Sequence, residues 1–191
     1  MTATDTSTLT GIPGYVAGTW SIDPVHSDVG FTARHMMVSK VRGKFRTFYG
    51  ELVTGDNPLG SSVTAEIDLS SIDTGSDQRD AHIRSADFFE VETYPEMTFR
   101  STGIGQDGDD LVLHGELTLK GVTRAVPLKL EVNGFGPDVR GSTRAGFSAT
   151  GEINRMDFGV SYNGPIPGGG VAISETIQIV LEVEAILQPG S

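Results

Sequence analysis

The chain of 191 residues contains no cysteine, and its 14 Lys and Arg are outnumbered by 25 Asp and Glu, for a net charge of −11. No apolar run reaches the ~18 residues that a membrane-spanning helix needs. Each shortage excludes something. Without cysteine there are no disulfide frameworks, zinc ribbons, thiolate metal sites or cysteine nucleophiles. The acidic balance argues against a nucleic-acid partner, which requires clustered Lys and Arg. The apolar share is only 37%, yet too high for a disordered chain. The first 17 residues read as a flexible tail, with the folded domain expected over 18–188. They lack the basic start and apolar stretch of a secretory signal, so a cytoplasmic location is expected.

What the chain does have is a period of two. Val63, Ala65, Ile67 and Leu69 alternate with polar residues. So do Leu111, Leu113, Gly115, Leu117 and Leu119, and then Val126, Leu128, Leu130 and Val132. Ala145, Phe147, Ala149, Gly151 and Ile153 form a fourth run, and Ile177, Ile179, Leu181, Val183 and Ala185 a fifth. Such alternation marks strands with one covered face and one wet face. With Trp20–Asp23, Val29–Val38 and Lys44–Val53, about eight strands are predicted. Gly-, Asn- and Pro-rich turns separate them, as antiparallel hairpins require. Residues 76–85 break the pattern and predict a short helix with Ser76 or Asp77 as its N-cap.

Many inward-parity residues are small: Ala33, Ala65, Gly115, Ala145, Ala149 and Gly151. In an eight-stranded barrel, undersized interior residues leave room for one apolar ligand. A two-layer sandwich covering those positions shares the same strand signature, so the pattern leaves both open. His35, Arg124 and Arg155 continue inward runs at strand ends. They read either as solvated rim residues or as a polar ring at a cavity mouth. Met36 and Met37 suit a core gap or a lipid-lined pocket equally well. The four histidines (26, 35, 82 and 114) lack helical metal-site spacing, and no Gly-x-Ser-x-Gly elbow occurs. His26 is expected to bond to turn backbone, and Arg79, Asp80 and Arg84 to fasten the helix to the rim.

Three blocks carry a resemblance. They are Ile22-Asp23-Pro24-Val25-His26-Ser27 through Lys44-Phe45; Ser71 to Phe89 with Tyr94-Pro95; and Gly115-Glu116-Leu117-Thr118-Leu119-Lys120-Gly121 with Asn154-Arg155-Met156-Asp157-Phe158-Gly159. In this order they resemble the YceI-like family of bacterial polyisoprenoid-binding, lipocalin-like proteins. Residues 11–18 resemble its cytoplasmic, actinobacterial-type branch. The resemblance implies an all-β fold, an extended eight-stranded antiparallel barrel with one short helix in a crossover loop. It also implies a hydrophobic tunnel holding an isoprenoid quinone, polyprenyl or other amphiphilic lipid, often in a homodimer. No metal or catalytic group is expected. The expected ligand-binding residues are Phe31, Ala33, His35, Met36, Met37, Phe45, Phe88, Phe99, Leu117, Arg124, Phe147, Ala149, Ile153 and Phe158.

Overall fold

The computed structural model describes residues 11–170 and 172–190. Their strands are β1 (Gly18–Ile22), β2 (Asp28–His35), β3 (Ser39–Phe45), β4 (Phe48–Thr54), β5 (Ser62–Asp68) and β6 (Ile72–Asp73), then, after helix α1 (Asp77–Arg84), β7 (Glu96–Asp107), β8 (Asp110–Leu119), β9 (Val122–Pro137), β10 (Thr143–Asn154) and β11 (Thr176–Leu187). Three pairs of short segments are single strands interrupted by corners. β1 and β2 pair with successive stretches of β11, Trp20 opposite Leu187 and Val29 opposite Leu181. On their other side they pair with β4 and β3. β5 and β6 likewise continue one another along β4 and β3. The three composite strands and β7 to β11 make eight. Every neighbour in the sheet is a neighbour in sequence, and β11 closes on β1/β2. The result is an up-and-down antiparallel barrel, which removes the exposed edges that invite aggregation.

Between β6 and β7 the chain leaves the wall and carries α1 over one end of the barrel. Ser76 caps this helix, its hydroxyl accepting from Arg79 N. Thr74 is the anchor. Its N–H and hydroxyl donate to the buried Asp80 carboxylate (3.0 and 2.5 Å), while Arg79 donates to its hydroxyl and carbonyl (both 2.7 Å). Arg84 adds a longer bond to the Ser70 carbonyl.

The opposite end is narrowed by Trp20, Ala145 and Ala185, all essentially fully buried, with Leu52, Phe135 and Phe147 packed against them. The Trp20 indole N–H donates to Thr54 Oγ1, which donates in turn to the Val16 carbonyl. Ala145 is therefore small to admit a neighbouring ring and not a guest. Residues 11–17, expected as part of a tail, pack against this end. The Tyr15 hydroxyl donates to the Gly55 carbonyl at 2.7 Å, and its ring meets Phe135 edge-on. Residues 1–10 of the expected tail lie outside the described residues.

Candidate ligand tunnel

The inward faces enclose a cavity of about 670 Å³ that runs from Tyr15, Pro58 and Ser61 at one end to His35, Arg79 and His82 at the helix end. Its wall is the period-two set. Phe31 and Ala33 come from β2, Phe45 from β3, Ala65 from β5, Phe99 from β7 and Leu117 from β8. β9 supplies Val126 to Val132, β10 Phe147, Ala149 and Ile153, and β11 Ile177 to Val183. Among the described residues no Asp, Glu or Lys lines it, although the chain is strongly acidic. The charged residues that border it are arginines, Arg34, Arg79 and Arg155, gathered at the helix end.

Ten of the fourteen expected residues meet in this cavity: Phe31, Ala33, His35, Phe45, Phe88, Phe99, Leu117, Phe147, Ala149 and Ile153. Four do not. Met36 and Met37 form the tip of the β2–β3 hairpin and are 45% and 56% exposed. Arg124 keeps the inward parity of β9, opposite the buried Leu117, but it is exposed and does not line the cavity. Phe158 is buried in the side-chain core and does not reach the lumen.

The expectation for the glycines also needs correction. A Cβ on Gly115 would overlap the Phe99 ring, and one on Gly151 would lie 2.7 Å from Leu128 Cδ2. Gly43, opposite Phe31 in the ladder, receives that ring in the same way. These glycines accept wall side chains that would otherwise project into the lumen. Of the small inward residues, Ala33, Ala65 and Ala149 line the space directly.

The loop after β10 completes the helix end. Asn154 caps a 3-10 turn over Arg155–Phe158, its side chain accepting from Met156 N. Arg155 is 4% exposed, and its guanidinium has no carboxylate partner within 4.0 Å among the described residues. It donates instead to four carbonyls: Ser174 (2.9 Å), Val160 (2.7 Å), Tyr162 (2.8 Å) and Ile173 (3.2 Å). Burial lowers its pKa from the usual arginine value. This one side chain ties both limbs of the loop together. Tyr162 then contacts His82 (centroids 4.9 Å apart) and Phe88 (5.2 Å), and His82 bonds to Asp87 at 2.7 Å. His82, Tyr162 and Ile173 were absent from the expected set. Tyr162 and Ile173 lie on a Gly- and Pro-rich loop with no periodicity to betray an inward direction.

A second polar cluster sits where β1 turns into β2. Arg144 donates to Asp138, Asp23 and Glu184 at 2.8, 2.8 and 2.6 Å. Burial would raise the Asp23 pKa, but hydrogen bonds from His26 and Arg144 override it and hold it at about 2. Hydrogen bonding to Asp138, then to Asp23 and Glu184, raises that of Arg144. His26 therefore bonds to a carboxylate (Nδ1 to Asp23 Oδ2, 2.8 Å) and not to turn backbone as expected. Asp23, His26 and Glu184 have metal-ligand chemistry and lie close together. The Arg144 guanidinium already bridges the two carboxylates, so the cation of this cluster is an arginine. Ser27 hydrogen-bonds to both N and O of Glu184 and serves the corner.

Comparison with known proteins agrees with this architecture. The barrel resembles the crystal structure of Burkholderia cenocepacia BcnA (TM-score 0.74, 23% identity, covering 85% of this chain and 98% of that one). It also resembles the Campylobacter jejuni YCEI protein (TM-score 0.69, 28% identity, 81% and 90% covered). A polyisoprenoid binding domain from Saccharophagus degradans, 18% identical, shares the fold with a TM-score of 0.65 over 91% of this chain and all of that one. Protein YceI of Escherichia coli is 38% identical over 177 residues, 91% of this chain and 89% of its own length. The YceI-like domain family model matches residues 20–185. With the barrel, its lumen and these matches together, the chain belongs to the YceI-like family.

Proposed function

We propose that this protein is a non-catalytic carrier that holds a long-chain isoprenoid, such as a quinone or polyprenyl lipid, or a comparable amphiphile in its tunnel. The observation that carries this reading is the lumen itself: about 670 Å³, walled by aliphatic and aromatic side chains, with no Asp, Glu or Lys among the described residues. An apolar chain entering it gains about 0.8 kcal/mol for each CH₂ removed from water, before ordering costs. The polyisoprenoid-binding neighbour supports the same cargo class. The ten lumen residues named above are the proposed ligand contacts, within a barrel spanning 18–188 whose far end Tyr15 borders.

Native mass spectrometry of the protein purified without detergent tests this. The expected result is an added mass that organic solvent extracts as a long apolar molecule. Repeated isolation of bare protein that also takes up no fluorescent lipid overturns it. The non-catalytic part predicts that the bound molecule is recovered unchanged, with or without His35→Ala. A cytoplasmic location and a homodimer belong to the same proposal. Cell fractionation tests the first, and recovery from the envelope or the medium overturns it. Light scattering tests the second. Because the barrel closes on itself, such a dimer would use side-chain faces and not strand pairing.

A further inference from the structure

The β2–β3 hairpin stands apart from the rest of the surface. Val38 N bonds to the His35 carbonyl across a turn whose central residues, Met36 and Met37, both have positive φ (51° and 56°). That is a type I′ turn, which Asn and Gly fill without penalty and long side chains strain. Met36, Met37 and Val38 are nonetheless 45%, 56% and 85% exposed. Three consecutive apolar side chains are thus held out in water on a backbone that disfavours them.

Behind this tip the hairpin strands reverse the charge, with Glu152 and Glu175 bordering the groove beside Arg34, Met37 and Lys40. Residues 34–45 hold Arg34, Lys40, Arg42 and Lys44 and no acid, in a chain of net charge −11. The ladder pairs Arg34 with Lys40 and Thr32 with Arg42, while the alternate residues Ala33, Val41 and Phe45 line the lumen. Lys40, Arg42 and Lys44 therefore face outward. Arg34, Lys40 and Arg42 form no ion pair within 4.0 Å among the described residues. The residues flanking the tip, His35 and Ser39, line the tunnel.

We propose that this hairpin is a membrane-docking element, which seats the helix end of the tunnel on an anionic lipid surface. The apolar tip enters the headgroup region, and the basic stripe behind it neutralises lipid charge while the acidic remainder of the barrel is repelled. The docking chemistry stands on the hairpin alone; only its use for loading rests on the carrier reading.

Flotation with large unilamellar vesicles tests it. The expected result is co-flotation with an equal mixture of phosphatidylglycerol and phosphatidylcholine, weakened by salt, and none with phosphatidylcholine alone. Lys40→Gln with Arg42→Gln should weaken binding about 25-fold, fivefold for each charge. Met36→Asn with Met37→Gly should leave the thermal midpoint unchanged or higher, by relief of the turn, and abolish flotation. Val38→Asp, which needs no backbone change, should also abolish it. Absence of flotation by the native chain, or undiminished flotation of these tip variants, overturns the proposal. So does a native dimer that the tip variants dissociate, because the face would then bind a second copy of the chain. A chain that never floats yet carries extractable lipid refutes the docking alone. One that floats yet carries nothing refutes the carrier reading alone.

Discussion

The ring of Phe99 fills the space in which a Cβ on Gly115 would stand. The two residues sit on adjacent strands, β7 and β8, and the missing side chain lets the ring settle against the wall. Gly115→Ala should push the ring toward the lumen. Overpacking of this kind costs about 1–3 kcal/mol. The thermal midpoint should then fall by roughly 2–4 °C per kcal/mol, and lipid uptake should fall with it. Gly60→Ala is the control, since a Cβ there meets nothing within 4 Å and φ is not positive. Equal behaviour of the two variants in scanning calorimetry would refute this account of Gly115.

Ala149 offers the direct way to plug the tunnel. It lies between Leu181 and Leu130 on adjacent strands and is small where its neighbours are large. Ala149→Phe should abolish uptake of a fluorescent lipid at a stability cost of about 1–3 kcal/mol, with the circular dichroism of the barrel unchanged. Unimpaired uptake would show that the ligand does not pass this level.

Arg155 holds four carbonyls of the 160–174 loop in a site almost closed to water. Arg155→Met leaves those acceptors without their donor, at about 1–3 kcal/mol for each that water cannot reach. Faster amide exchange should follow across 160–174, ahead of the strands. Arg155→Lys should not rescue it, since one ammonium on a flexible stem does not reproduce a planar fork.

Acid should loosen the β1–β2 corner first. The Asp23 carboxyl has a pKa near 2 in the folded chain against 3.8 ordinarily. The stabilisation it supplies is complete above pH ~4 and is lost as pH falls toward 2, on the order of 1 kcal/mol after solvent screening. Asp73 and Asp138 are lowered too, through bonds from Gly75 N and Arg144 respectively, and add in the same direction. Arg144→Met should destabilise the barrel at neutral pH, through loss of the hydrogen bonds to its charged partners. It should also flatten this acid limb, which urea titrations at several pH values would detect. A limb unaltered in the variant would place the acid-sensitive groups elsewhere.

Eight strands were countable in the sequence, but not these eight. Trp20–Asp23 and Val29–Val38 read as two strands, whereas β1 and β2 are one strand with a corner. β7 went uncounted. Its apolar residues Met97, Phe99 and Ile104 change parity because a bulge between Ser101 and Gly103 shifts the register. The two differences cancel in the total. Lys44–Val53 missed the start of β3, where basic residues alternate with Val41 and Gly43 and imitate a loop. In the site, residues on regular strands were legible, because parity fixes direction; Arg124 is the exception, inward by parity yet exposed. Phe158 and Met36–Met37 lie on turns, where it does not.

The sequence by itself determined the class of the fold and the apolar character of its interior, because a period of two admits only one covered face for each strand. It determined the short helix through a cap and a break in that period. The tertiary structure alone decided whether a small inward residue opens space. The answer depends on which side chain arrives from the next strand: Phe99 covers Gly115, Leu128 covers Gly151, and Ala149 remains open to the lumen. It also decided that Arg155 meets four carbonyls and Arg144 three carboxylates, since the first set meets only when the 160–174 loop folds back on β10 and the second only when the strands pair.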